Sequence, residues 1–185
     1  MLDTLKEWDR TLFVFLNNLG IEPLDSFWIF VTQIESWTAL FILFAVIIFN
    51  YYKGKKGILV FLFAVAAFAI TLLCTELTKE FVARLRPNNE LGLANLIRTL
   101  QKPTSYSFFS GHASTSMAIT TFMVLAIRSF NKWIFLAFLW PLLFMTSRIY
   151  VGVHYPSDIL VGALVGVIIG GVFHKVSQRA LQPLK

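Results

Sequence analysis

The chain has 185 residues, 57% of them hydrophobic and 14% charged, with nineteen Phe and a single cysteine, Cys74. Soluble domains hold roughly 45–50% and 25% in those two classes, and 16 Lys/Arg with 10 Asp/Glu cannot cover so small a soluble globule. Disorder, a disulfide scaffold and a soluble fold are excluded, and a membrane protein remains.

The net charge of +6 is not drawn into a basic stripe with interleaved aromatics, so no nucleic acid is expected as a partner. The N-terminus carries Asp3, Lys6, Glu7, Asp9 and Arg10, unlike the layout of a cleaved signal peptide. Leu2, Leu5, Trp8, Leu12, Phe15, Leu16 and Leu19 recur there at helical spacing, and Gly20 follows as a stop. Residues 2–19 read as an amphipathic helix in the membrane interface. A further span is disfavoured by the charges.

A span needs about 20 apolar residues to cross ~30 Å of hydrocarbon. Five segments meet or approach this: Phe27–Phe49, Ile58–Leu77, Ala113–Phe130, Trp133–Tyr150 and Tyr155–Phe173. The third opens with Ser114, Thr115 and Ser116, whose hydroxyls suit contact with other helices. The expected fold is all-α and integral to the membrane: about five transmembrane helices plus the interfacial helix, in one domain over 1–185. The short loops 50–57 and 128–132 and the C-terminal tail carry Lys53, Lys55, Lys56, Arg128, Lys132, Lys175, Arg179 and Lys185 without an acid. That side is expected to be cytoplasmic. The long loop 78–111, with acids and bases mixed, then faces outward, towards the periplasm in a bacterium with two membranes.

Ionisable groups at membrane depth are costly and usually functional. They gather in three places, all on the outward side: Lys79–Pro87, Ser110–His112 and Ser147–Asp158. In the first, Lys79 and Arg86 are seven residues apart, two turns along one helical face, with Pro87 ending the helix. Lys79 offers a compact charge and Arg86 a planar fork for phosphate oxygens; alone, such a pair at a span end is more often a set of interfacial anchors. In the second, Phe108-Phe109-Ser110-Gly111-His112 opens a helix, so backbone N–H groups of Ser110 and Gly111 form an anion site. His112 beside them can give a proton to a leaving group, although a helix cap with an incidental histidine has the same sequence. In the third, Pro156 suits a first helical turn, which puts Asp158 near the helix start with His154 just before it. A carboxylate there can fix the imidazole tautomer. Gly162, Gly166 and Gly170 continue the four-residue spacing from Asp158 and form a small-residue ridge for close helix packing.

Taken together, Lys79-x6-Arg86-Pro87, Ser110-Gly111-His112 and Ser147-Arg148-x5-His154-x3-Asp158 resemble the three-part signature of the type 2 phosphatidic acid phosphatase superfamily. The departure is Phe109, where the family has Pro. The resemblance implies a metal-independent lipid-phosphate phosphatase without cofactor. His154 would be the nucleophile that forms a phosphohistidine, Asp158 its orienting group and His112 the general acid. Lys79, Arg86, Arg148, Ser110 and Gly111 would hold the phosphoryl oxygens. The implied partners are the bilayer and a membrane lipid phosphate: undecaprenyl diphosphate, phosphatidylglycerophosphate, phosphatidic acid or the phosphate of lipid A. The implied location is the bacterial inner membrane. Two rival readings are a non-catalytic lipid-binding or lipid-flipping protein on the same fold, and a transporter with charges along a pathway. The second needs polar residues deep in several spans, where only Glu35 stands apart from the three clusters.

Overall fold

A computed structural model describes residues 2–93 and 95–184. Lys185 of the basic tail and the side chains of Leu2 and Asp3 from the amphipathic pattern lie outside the described residues. Every regular element among the described residues is helical: α1 (Leu2–Asn18), α2 (Asp25–Thr32), α3 (Thr38–Tyr51), α4 (Lys55–Val82), α5 (Gly111–Ile127), α6 (Leu139–Tyr150) and α7 (Pro156–Leu181). Four segments are long and apolar enough to cross a membrane: Ile34–Tyr51, Lys55–Asn89, Lys132–Tyr150 and Pro156–Leu181. The protein is an integral membrane protein.

The weakest of the expected spans by hydropathy is the central helix. α5 packs against α4, α6 and α7, and Ala113, Ser114, Ser116, Ala118 and Thr120 along it are fully buried. Its small side chains let neighbours approach closely. The glycine ridge of α7 lies directly on it. A Cβ at Gly162 would stand 2.7 Å from the Ser110 carbonyl oxygen, and those at Gly166 and Gly170 would run onto the carbonyl oxygens of Ser114 and Ala118. On the other flank, the hydroxyls of Thr75 and Ser114 are hydrogen-bonded at 2.9 Å, tying α4 to α5. Larger apolar side chains, among them Phe44, Ile48, Val60, Phe122 and Leu181, fill the half of the bundle away from residues 110–112. At that far end the Tyr52 hydroxyl donates to the Ala126 carbonyl and Tyr51 stacks near Phe130. Both short basic loops therefore emerge together.

Three expectations need correcting. Phe27–Phe49 is not one helix: α2 stops at Thr32, Gln33 is extended, and a 3-10 turn over Ile34–Trp37 leads into α3. The polar run Gln33-Ile-Glu35-Ser36 supplies the reason, because its neighbourhood satisfies the orphan carbonyls of α2. Ser36 Oγ donates to Phe30 O and Trp37 Nε1 to Val31 O. Glu35 thus sits on the 3-10 turn that opens the Ile34–Tyr51 segment, not in the middle of a helix running from Phe27 to Phe49. Second, α4 ends at Val82, because Ala83 takes a left-handed conformation (φ 49°) and caps Lys79 O. Lys79 and Arg86 do not share a helical face; Arg86 is extended, as the residue before proline prefers. Third, the Trp133–Tyr150 segment begins as a 3-10 helix (Lys132–Phe138) before α6.

Candidate active site

The end of the bundle where α4 finishes and α5 and α7 begin gathers all eight singled-out residues. Ser110 is the N-cap of α5, its hydroxyl accepting from the Ala113 N–H, and its own N–H donates to the Asp158 carbonyl at 3.0 Å. This bond sets the second segment against the third. Phe109, at the departure from the family pattern, is buried beside Phe108 and leaves the cap intact. Gly111 faces Lys79: a Cβ there would lie 3.9 Å from Nζ. Lys79 itself is buried near the end of α4 and donates to Glu76 Oε1 at 2.7 Å.

His154 and Asp158 are buried in the turn between α6 and α7. Asp158 Oδ2 accepts the Tyr155 N–H at 3.0 Å and faces His154 Nδ1 at 3.3 Å. The other ring nitrogen, Nε2, lies 2.9 Å from an Arg86 guanidinium nitrogen. A guanidinium only donates, so Nε2 must be the acceptor and the ring proton must sit on Nδ1, towards the carboxylate. The tautomer follows from the partners. Burial, and after it the charges of Arg86, Arg148, Lys79 and Arg84, hold the imidazole well below its ordinary pKa. His154 is therefore neutral, with its lone pair on Nε2. Arg86 is fixed by the Ser105 carbonyl (2.7 Å) and hydroxyl (3.1 Å) and the Val153 carbonyl (3.1 Å).

His112 is wired the opposite way. Its Nε2 lies 3.1 Å from the Thr32 carbonyl, which can only accept, so Nε2 carries a proton and Nδ1 is the nitrogen left free. The ring stacks on Phe144 with centroids 4.4 Å apart. Arg148 reaches the same threonine through its hydroxyl and also donates to Gln101 Oε1 at 2.9 Å. Its Nε is buried without a partner, a donor still available to a phosphate oxygen. Lys79, Gly111 and His112 line a cavity of about 250 Å³ whose other walls include Ile34, Phe68, Leu72 and Phe144. Its lining thus mixes polar and apolar side chains.

Several participants were not singled out in the sequence. Thr32 joins His112 to Arg148 from the middle of what reads as a span. Arg84 pairs with Asp158 at 2.7 Å; as a further cation inside the first segment it was the one visible signal. Asp9, on α1, pairs with Arg84 at 2.7 Å.

A buried histidine whose Nε2 lone pair meets a guanidinium, a second histidine with its Nδ1 left free and a set of buried cations, all at one end of an apolar bundle, suit a membrane-embedded phosphatase. The chain belongs to the PAP2 superfamily, whose family model matches residues 57–182. It is 29% identical over 184 residues to the lipid A 4'-phosphatase of Porphyromonas gingivalis, covering 95% of this chain and 75% of that protein. It is also 35% identical over 122 residues to the undecaprenyl-diphosphatase of Sulfolobus acidocaldarius, covering 65% and 56%. The fold is similar to that of the transmembrane PAP2-type phosphatidylglycerolphosphate phosphatase from Bacillus subtilis, with a TM-score of 0.74, 20% identity and coverage of 95% and 87%.

Proposed function

We propose that the protein removes phosphate from a membrane lipid through a phosphohistidine intermediate on His154. The observation that carries this reading is the wiring of that ring: Arg86 on Nε2 and Asp158 on Nδ1. The Nε2 lone pair attacks phosphorus, and the bond from phosphorus to the lipid oxygen breaks. As the imidazole becomes positively charged, the Asp158 carboxylate stabilises it and holds its orientation. A phosphate bound as its monoanion hands its proton to the free Nδ1 of His112, and His112 passes that proton to the leaving oxygen. Water then attacks the phosphohistidine, gives a proton to His112, and releases inorganic phosphate with His154 restored. Before attack, Arg86 must pass its N–H from Nε2 to a phosphoryl oxygen, so the free site keeps the nucleophile covered until an anion arrives. Lys79, Arg148, Ser110 and the Gly111 amide complete the oxyanion contacts. These cations supply the charge that metal ions supply elsewhere, and no metal or cofactor enters the scheme.

The chain acts as one membrane-embedded domain with five crossings: the four long segments and α5. α1 lies in the interface, the catalytic end faces outward from the bacterial inner membrane, and the C-terminus is cytoplasmic. The full-length similarity to a lipid A 4'-phosphatase favours a lipid A phosphate over undecaprenyl diphosphate, phosphatidylglycerophosphate and phosphatidic acid. Phosphate release from a panel of these four by the purified protein ranks them. His154→Ala should abolish turnover of every one, because no phosphoenzyme can form. His112→Ala should lose about 10²–10⁴-fold in kcat/KM on phosphatidic acid and far less on nitrophenyl phosphate, whose leaving group needs no proton. Equal losses on both would remove His112 from the acid role; residual turnover by His154→Ala would remove the phosphohistidine. Activity should persist in EDTA and fall with vanadate, which can adopt the five-coordinate geometry. Loss to EDTA with restoration by magnesium or zinc would overturn the metal-free scheme.

A further inference from the structure

α1 lies outside residues 57–182 that match the family, yet it reaches the catalytic turn. Its Leu5, Trp8, Leu12, Phe15 and Leu19 are exposed, while Asp9, Phe13 and Asn17, four residues apart, form a second face turned to the protein. The Asn17 amide donates to the carbonyls of Arg98, Ile149 and Tyr150 at 3.0–3.1 Å and accepts from the Arg98 N–H at 2.7 Å. Phe13 is fully buried and meets Tyr155 edge-on at 5.4 Å. Asp9 accepts the Ser157 N–H at 2.9 Å and an Arg84 N–H at 2.7 Å, and also binds the Ser157 hydroxyl.

Arg84 continues the chain inward. Its other terminal nitrogen donates to Asp158 Oδ1 at 2.7 Å and to Ser157 Oγ at 2.8 Å, and its guanidinium lies 3.9 Å over the Tyr155 ring. The two oxygens of Asp158 are thus divided: Oδ2 serves His154 and the Tyr155 N–H, while Oδ1 serves Arg84. We propose that Arg84, held in place by Asp9 of α1, is a positioning residue for the His154–Asp158 pair, which makes the N-terminal helix a working part of the active site. Without Arg84, the buried Oδ1 would lose its cationic donor, and the carboxylate would turn from the imidazole towards another donor such as the Ser107 hydroxyl. Asp9 does the same service one step out, since a fork shared between two carboxylates has a fixed plane. The inference rests on His154 being the nucleophile.

The test uses the full chain in detergent, phosphatidic acid as the kinetic probe, and ¹⁵N-histidine NMR as a readout independent of turnover. The charges facing His154 and Asp158 are Lys79 from α4, Arg84 and Arg86 from the segment after it, and Arg148 from α6. His112 of α5 and, behind Arg84 and Tyr155, Asp9 and Glu90 complete the set. Removing one of four cations lets the imidazole protonate more easily. Arg84→Gln should therefore lower kcat about 10- to 100-fold, leave KM within about twofold, move the acid limb of kcat/KM to higher pH, and reduce the Nδ1-protonated tautomer of His154. The substrate's own titration is common to all variants, so a shift between them belongs to the enzyme. Asp9→Asn should lower kcat and the Nδ1-protonated tautomer in the same direction but more weakly, without the upward move of the acid limb, since it removes an anion and not a cation; the double variant should have a kcat no worse than Arg84→Gln, because the two act in series. Arg84→Lys should restore the acid limb but only part of kcat, since an ammonium cannot span Asp9, Ser157 and Asp158. If Arg84→Gln fails to accumulate, Asp9→Asn decides the matter by its kcat and His154 signals. Unaltered His154 signals and pH limb in the variants, or losses that multiply in the double, would overturn the proposal. Turnover by His154→Ala would instead strike the reading on which it rests.

Discussion

In the proposed reaction, two nitrogens of one ring carry most of the chemistry at the scale of single residues. His154 has a donor on one side and an acceptor on the other, and its surroundings depress its pKa. The sign is definite: the neutral form persists below the ordinary value of about 6.5. In ¹⁵N-histidine spectra His154 should stay neutral and Nδ1-protonated at pH 6, and a ring that titrates at or above 6.5 would contradict the placement. Thr32 offers a sharper separation, because its hydroxyl serves Arg148 and its carbonyl serves His112. Thr32→Val deletes only the first. One hydrogen bond is worth about 0.5–1.5 kcal/mol, so KM should rise by roughly tenfold at most with kcat nearly unchanged. A selective loss of kcat would assign the threonine to His112 instead. The eight motif residues were legible because each brings a chemical type that membranes rarely tolerate. Thr32, Arg84 and Asp9 were not, because what gives them meaning lies 73 to 148 positions away in sequence.

Among the helices, the contact that positions the site is α7 on α5. The two run as matched four-residue series, Gly162, Gly166 and Gly170 against Ser110, Ser114 and Ala118. A methyl at Gly166 would meet the Ser114 carbonyl oxygen and stand 3.0 Å from the Ala118 nitrogen. Both are backbone, which cannot turn aside. Gly166→Ala should cost about 1–3 kcal/mol in unfolding measurements and lower activity as well, since displacing α7 moves Asp158. Gly171→Ala is the control: nothing lies within 4 Å of its added methyl, and helix propensity favours Ala by about 1 kcal/mol. Equal effects from the two substitutions would show that the ridge does not set the packing. The ridge was legible from spacing alone. The break between α2 and α3 was not, because hydropathy averages over a window and one extended residue, Gln33, hardly alters the average. Only the capping of the Phe30 and Val31 carbonyls by Ser36 and Trp37 reveals why the helix stops there.

For the whole molecule, both basic loops lie at one end of the bundle and the eight motif residues at the other. With the basic end cytoplasmic, a cysteine placed at residue 95 should react with an impermeant reagent from outside and one at residue 55 only from inside. Cys74 must first be replaced, being the sole native thiol. The reverse pattern would place the site on the cytoplasmic face.

Composition and run length determined, without any structure, that the chain is helical and lives in a membrane, because the cost of bare backbone groups in hydrocarbon admits few alternatives. Residue types at fixed spacing singled out the side chains proposed to carry the chemistry, because phosphate, proton and nucleophile each demand particular groups. Tertiary structure alone decided how those groups are wired. The tautomer of His154 depends on Arg86 approaching one nitrogen across 68 positions of chain. The free nitrogen of His112 depends on the carbonyl of a helix that ends at Thr32. The recruitment of α1 depends on Asp9 meeting Ser157 across 148. Hydrogen bonds of this kind have directions but no sequence periodicity, so they come into being only when the helices pack.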